Sequence, residues 1–331
     1  VIVSDGASGG GDAPFDIRVR TMLSAGEFDL PLPAGGSSAE RLALLADLAR
    51  RDLQVARLAE AHTDAVAILC EAGRVPEPDT LYGVWAAEDP ACCLDLGETT
   101  DREQARTFVM RGSKAFCTGS SLLDRALVTV RGPDGVLLVD VDLRHSRVAF
   151  DTSGWRTPAF SDTATAVTTF DDVVFTEADI VGPPGWYLDR VGFWHGACGP
   201  AACWAGGALG LVDHAVAVAG TKAPNPHLDA QVGALVALGW SLDALLDVAG
   251  RDIDRFPDEH GLAMQRARML RHRVERTATE IIDVHGRALG PRPLIQDASV
   301  VRRVQEVQLY LRQHHGERDL EAIGAEVRRI A

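Results

Sequence analysis

Apolar side chains recur every three or four positions through Leu42, Leu45, Leu48, Ala49, Leu53 and Ala56. That period is one face of an α-helix. In front of it, Ser37-Ser38-Ala39-Glu40 has the form of a capping box, in which a hydroxyl and a carboxylate satisfy each other's backbone N–H groups. A second apolar stretch, Ala65 to Cys70, prolongs the helical section until Gly73, Pro76 and Pro78 end it. Residues 1–36, dense in Gly and Pro, are predicted to be irregular.

The middle of the chain has a different period. Leu81 to Ala87 is a short apolar run, Thr107-Phe108-Val109-Met110 precedes an expected turn at Gly112, and Ala126 to Val130 leads into a hairpin connection at Gly132-Pro133-Asp134-Gly135. Val139, Val141 and Leu143 alternate with Asp140 and Asp142, the pattern of a half-buried strand, and Val167 to Val174 holds another β-branched segment. From Gly192 the pattern is helical again: Ala201 to Ala219, Leu228 to Ile253, Met264 to His285, and a last helix from about Ser299 to His314. The order predicts an α+β chain. Residues 1–79 are assigned to an N-terminal helical domain, 80–178 to a small β-barrel or sandwich, and 179–331 to a helical bundle.

A length of 331 residues allows two or three such domains. The net charge of −14 disfavours nucleic acid and anionic membranes as partners. The six cysteines include no CxxC pair, so free thiols and a reducing, cytoplasmic compartment are expected. No signal pattern and no apolar run suited to a membrane span are read in the sequence. His and Cys are not grouped at zinc spacing, so no metal is expected. GxGxxG after a strand, GxxxxGK[ST], GxSxG and HExxH do not occur.

Four stretches, in order and spacing, carry a resemblance over nearly the whole chain. They are Val84-Trp85-Ala86-Ala87-Glu88-Asp89-Pro90, Gly112-Ser113-Lys114-Ala115-Phe116-Cys117-Thr118-Gly119, Ser161-Asp162-Thr163 followed by Val167 and Phe170-Asp171-Asp172-Val173, and Gly206-Gly207-Ala208-Leu209-Gly210. Together they resemble the acyl-CoA dehydrogenase superfamily. The resemblance implies a helical domain, a central barrel and a C-terminal four-helix bundle, assembled as a homo-oligomer (dimer or tetramer) around FAD. An isoalloxazine ring needs backbone contacts along one edge, an aromatic wall and a hydroxyl near N5. The resemblance assigns the first to Ala86 and Ala87, the wall to Phe116 beside Cys117, and the hydroxyl to Thr118. It adds a second contact near Asp283, Gly286 and Arg287. Alone, Phe116 reads as core and the Gly206–Gly210 patch as close helix packing.

The chain also departs from the family pattern. The late loop that usually carries the catalytic carboxylate reads Leu311-Arg312-Gln313-His314-His315-Gly316-Glu317, so His314 or His315, or else Glu317, is the expected base. A histidine can act near neutrality as base or donor, or simply cap a helix end. Ala91-Cys92-Cys93-Leu94-Asp95 stands where relatives that hold CoA have Gly-Ala-Gly-Ser-Asp, and Gly220 to Pro226, with Lys222, replaces an Arg-x-x-Phe-Gly stretch that meets FAD. The expected activity is α,β-dehydrogenation of an acyl thioester with hydride transfer to flavin, served by a redox partner. The alternatives are a flavin monooxygenase of the same fold and a non-catalytic oligomeric scaffold that has lost FAD.

Overall fold

The computed structural model describes residues 13–97, 100–102 and 105–330. Its order is helices, strands, helices. The first group is α1 (Phe15–Ser24), α2 (Ser38–Arg51) and α3 (Leu53–Glu71). Helix α1 lies in the stretch expected to be irregular, whose residues 1–12 fall outside the described residues. The continuous apolar period from Leu42 to Ala56 conceals a break at Asp52, whose carboxylate accepts from the Gln54 and Val55 N–H groups and starts α3. The expected capping box does not form. Instead Asp254, from a helix 216 residues further on, accepts from Ser38 N (2.9 Å) and Ser38 Oγ (2.6 Å).

The strands are β1 (Tyr82–Trp85), β2 (Leu94–Leu96), β3 (Thr100–Arg102), β4 (Ala105–Cys117), β5 (Arg125–Gly132), β6 (Gly135–Asp142), β7 (Val148–Asp151) and β8 (Ala166–Thr176). They form one sheet in the order β1-β5-β2-β4-β8-β7, with β3 beside β4 and β6 beside β5. Gly112 is not a turn. It sits inside β4 at φ +129°, where a side chain would collide with the Cys93 carbonyl, and the pairing with β8 slips between Met110 and Gly112. Strand β6 is also not half-buried. Leu138 joins Tyr82, Leu127 and Tyr187 under α3, while Leu137, Val139 and Val141 belong to the main core. Asp140, 7% exposed, is tolerated there because Arg125 Nε donates to it at 2.8 Å.

The last group comprises α4 (Trp186–Asp189), α5 (Val191–Gly196), α6 (Cys198–Gly220), α7 (Pro226–Arg255), α8 (His260–Leu289), α9 (Pro293–Gln296), α10 (Ala298–Tyr310) and α11 (Glu317–Ile330). Helices α6, α7 and α8 pack on one another, α10 lies on α6, and α2 crosses both α6 and α7. The Gly206–Gly210 patch makes that crossing close: a side chain at Gly206 would collide with the Ala46 carbonyl of α2. One apolar core runs through both helical groups and the sheet. The expectation that no run is long and apolar enough to span a membrane is corrected. By length and composition Val191–Gly220 and Pro226–Arg255 both are. The first is largely interior, whereas α7 turns Val236, Trp240 and Val248 outward.

Candidate functional site

The site begins at the end of β4. A second slip in the β4–β8 pairing, between Lys114 and Cys117, brackets Phe116, which takes the left-handed conformation (φ +58°) and is 58% exposed. A non-glycine residue in that region carries strain held by its surroundings. Here the bulge turns the ring out of the sheet while Cys117 is fully buried. Thr118 follows, with its carbonyl accepting from Trp85 Nε1 at 3.0 Å. Its hydroxyl accepts from Arg57 Nη2 at 2.8 Å. The Thr163 hydroxyl donates to the Phe160 carbonyl at 2.8 Å, so the Thr163–Thr165 contact at 3.2 Å has Thr165 as its donor. Thr165 then accepts from Thr118, also at 3.2 Å. The chain of donors is therefore polarised from Arg57 through Thr118 to Phe160.

Behind Thr118 lies a buried stack of cations and aromatic rings. The Arg57 guanidinium sits over Phe160 (4.8 Å) and Tyr310 (5.2 Å), and Arg271 over Trp204 (4.6 Å). Trp204 and Tyr310 meet edge to face at 6.1 Å. Each arginine keeps its charge over a ring face while its N–H groups go to oxygen acceptors. Arg271 reaches the Ala197 and Gln313 carbonyls, so the stack connects the end of β4 with the late loop. On α3, one face carries Arg57, Glu60 and Asp64. Burial, then Asp64, pushes the Glu60 carboxyl up to about 8. Burial also raises Asp64. Across Phe160 opens a polar cleft of about 230 Å³, lined by Arg51, His214, Ser299, Arg302, Arg303 and Glu306 among others. Burial pushes the Glu306 carboxyl up to about 7.

The late loop places the three expected bases differently. His314 is inside, its side chain 4% exposed. Its Nδ1 accepts from the Gly316 N–H at 3.3 Å, which puts the ring proton on Nε2, 3.7 Å from Asp319 Oδ2. Burial lowers its pKa, so the ring is neutral. His315 is 69% exposed in its side chain. Glu317 is exposed in the first turn of α11, where a carboxylate favours the helix N-terminus.

Of the residues read from the sequence, Phe116, Cys117 and Thr118 stand together at the end of β4, and Ala86 and Ala87 follow β1 beside Trp85. Asp283, Gly286 and Arg287 lie within α8 rather than at a turn, and Asp283 and Arg287 pair at 3.0 Å on its surface. Arg57, Glu60, Asp64, Arg271 and Tyr310 were missed. The signal for the first three was present: charges at 57, 60 and 64 fall on the face that Leu53 and Ala56 mark as buried. Among the described residues no group of His, Cys, Asp and Glu is arranged to hold a metal.

No family model matches the chain, and no curated protein matches it. Solved structures do. KijD3 in complex with FMN and dTDP-3-amino-2,3,6-trideoxy-4-keto-3-methyl-D-glucose superposes with a TM-score of 0.81 at 15% identity, over 96% of this chain and 88% of its own. A nitrososynthase from Micromonospora carbonacea var. africana gives 0.79 at 16%, over 95% and 90%. TdsC from Paenibacillus sp. A11-2, solved with FMN and indole, gives 0.76 at 16%, over 93% and 94%. The chain shares their fold.

Proposed function

We propose that this chain is a flavin-dependent oxidoreductase and that it works as a monooxygenase on reduced flavin mononucleotide. One observation carries the choice over acyl-thioester dehydrogenation: the late loop holds no free base inside the fold. Removing an α-proton needs a group poised over the substrate. His314 is buried, with Nδ1 accepting from the Gly316 N–H and Nε2 facing Asp319 at 3.7 Å, while His315 and Glu317 face outward. Leu94, where a CoA-contacting serine was sought, is 2% exposed and belongs to β2. Fold relatives support the same direction, since TdsC is described as a dibenzothiophene monooxygenase and both TdsC and KijD3 were solved with FMN.

The residues present fit a flavin. Phe116 stands out of the sheet as a wall, Thr118 beside it is fixed by Arg57 within a polarised donor chain, and Arg51, Arg302 and Arg303 bring positive charge to the neighbouring cleft, suited to a phosphate. Arg302 is the loosest of these, with acidic partners at 3.9 and 4.0 Å. FAD, expected from the resemblance, would need a further contact to its second phosphate, and the Gly220–Pro226 stretch lacks the family's arginine. A bound reduced flavin supplies the electrons for activating O2. The chain's own contribution is to hold the ring edge with Phe116 and Thr118, and to keep Thr118 in place through Arg57, which the buried Tyr310 and Phe160 rings pack against.

We further propose a homo-oligomer joined through α7, whose outward Gly233, Ala237, Trp240 and Val248 make an apolar face. The function test is a titration with FMN and with FAD, then oxygen uptake with NADH, a flavin reductase and aromatic or amine substrates. Anaerobic bleaching of the flavin by an acyl-CoA would refute the monooxygenase reading. A colourless protein whose melting temperature ignores both flavins would favour the scaffold, because a ligand bound only by the native state must raise it.

A further inference from the structure

Lys114 carries a charge into the interior of the sheet. It lies on β4 shortly before Phe116, and its side chain is 3% exposed. Its ammonium crosses to β5 and to the chain that follows β1: Nζ donates to Thr129 Oγ1 and to Glu88 Oε1, both at 2.6 Å. Glu88 reaches in from outside, with 57% of its side chain exposed. The Thr129 hydroxyl, having accepted from Lys114, turns its own proton toward Glu88 Oε1 (3.4 Å) and the Trp85 carbonyl (3.5 Å). One carboxylate oxygen thus faces two donors, each from a strand of the sheet. A buried ammonium must be paired. The pair is nevertheless weak evidence for stability, because an apolar side chain of similar volume often fills such a place as well. What the pair fixes is the chain after β1.

That chain borders the candidate site. β1 runs parallel to β5 with Trp85 opposite Val128, so Ala86 comes next to the level of Thr129. Trp85 Nε1 donates to the Thr118 carbonyl at 3.0 Å, which sets residues 86–88 beside residues 116–118. Ala87, Glu88 and Phe116 are all exposed there. Strand pairing does not hold residues 86–88, because β1 stops at Trp85 and β2 starts at Leu94. The bonds that follow, from Ala91 N and Cys92 N to Asp89, stay within the loop. Lys114 therefore ties the start of this loop to the sheet.

We propose that Lys114 is a positioning residue for the flavin: through Glu88 it holds the backbone of Ala86 and Ala87 against the pyrimidine edge of the ring. The proposal rests on the function proposed above. A backbone segment that bonds to a rigid ring binds it well only when it is ordered beforehand, since ordering it on arrival subtracts from the affinity. Phe116 is set by the bulge in β4 and Thr118 by Arg57. Residues 86–88 have the buried ammonium in that part. Lys114 is enclosed, so it acts on the ring through this segment and not by contact.

The test compares the parent, Lys114→Met and Glu88→Ala. FMN affinity is read from flavin fluorescence, and nitrogen-15 signals are recorded from labelled FMN at saturation. N3 lies on the pyrimidine edge and N5 on the side assigned to Thr118, so the second nitrogen is the control for the first. Thermal unfolding first shows that each variant is folded; Glu88→Ala alters an exposed side chain and decides the matter alone if Lys114→Met does not fold. Both variants are expected to lose about tenfold in FMN affinity, the worth of one hydrogen bond. Their N3 signal is expected to move toward that of free FMN while N5 stays where the parent has it. Unchanged affinity, an unmoved N3, or N3 and N5 moving together, as a merely structural role gives, overturns the proposal and leaves the flavin reading in place. A parent that binds no FMN overturns both.

Discussion

The buried carboxyl of Glu60 has a consequence for stability that needs no ligand. Its ordinary value is 4.5 and in the fold it is about 8. Between those limits the native chain holds a proton that the unfolded chain has lost, so stability falls as pH rises through the window. Each unit is about 1.36 kcal/mol. The cost therefore reaches roughly 3 kcal/mol at pH 7 and roughly 5 kcal/mol well above pH 8, upper figures because water reaching the half-buried carboxyl screens the charge. Glu60→Gln resembles the protonated acid at every pH. It should match the parent near pH 4.5 and become progressively more stable above it. With an unfolding entropy of about 0.7 kcal/mol/K for a chain of this length, the gap at pH 7 is about 4 °C in melting temperature. Thermal unfolding of both proteins at pH 5, 6, 7 and 8 measures it. Glu306, near 7, has the same sign but is common to both proteins and cancels. A gap that does not change with pH would refute the reasoning, since only a titrating difference can produce the slope.

Three further outcomes are expected. Gly112→Ala should lower stability by about 2–4 kcal/mol in urea unfolding, through a disfavoured φ and a collision with the Cys93 carbonyl. His285, lowered to about 4 by burial and by His214, loses stability as pH falls from 6.5 toward 4, because the unfolded ring takes its proton first. His285→Gln should accordingly flatten the acid limb of the stability curve, and an unchanged limb would exclude this residue as its source. Trp240→Asp places a charge on a side chain 72% exposed. Sedimentation should show smaller particles than the parent, and an unaltered mass would exclude that face as the subunit contact.

How far the sequence could be read depended on whether a feature is local. The long C-terminal helices were legible because each repeats its apolar period over many turns; α7 and α8 extend only a few residues beyond their expected limits. The exposed end of β4 was legible because Phe116, Cys117 and Thr118 are adjacent. Gly112 misled because a glycine signals both a turn and a bulge, and only the approach of Cys93 decides between them. The alternation around Asp140 misled because α3 and α4 cover the second face of β6, and a local pattern does not register a distant helix. What covers Glu60 and Asp64 was invisible for a similar reason: their place on the buried face of α3 is local, but Gly196 and Gly199, which stand against them, are more than a hundred residues away. His314, one of three candidate bases in the late loop, has its two nitrogens turned to Gly316 and Asp319, which residue type alone could not disclose.

The Asp254 carboxylate that closes the start of α2 also imposes an order of events on synthesis. A nascent chain emerging from the ribosome exposes the first turn of α2 about two hundred residues before its acceptor exists, and translation at ~5–20 residues per second makes that a wait of roughly ten to forty seconds. Until then the segment lacks both its terminal partner and the α6–α7 surface it crosses. The start of α2 is thus completed only when the later helices arrive.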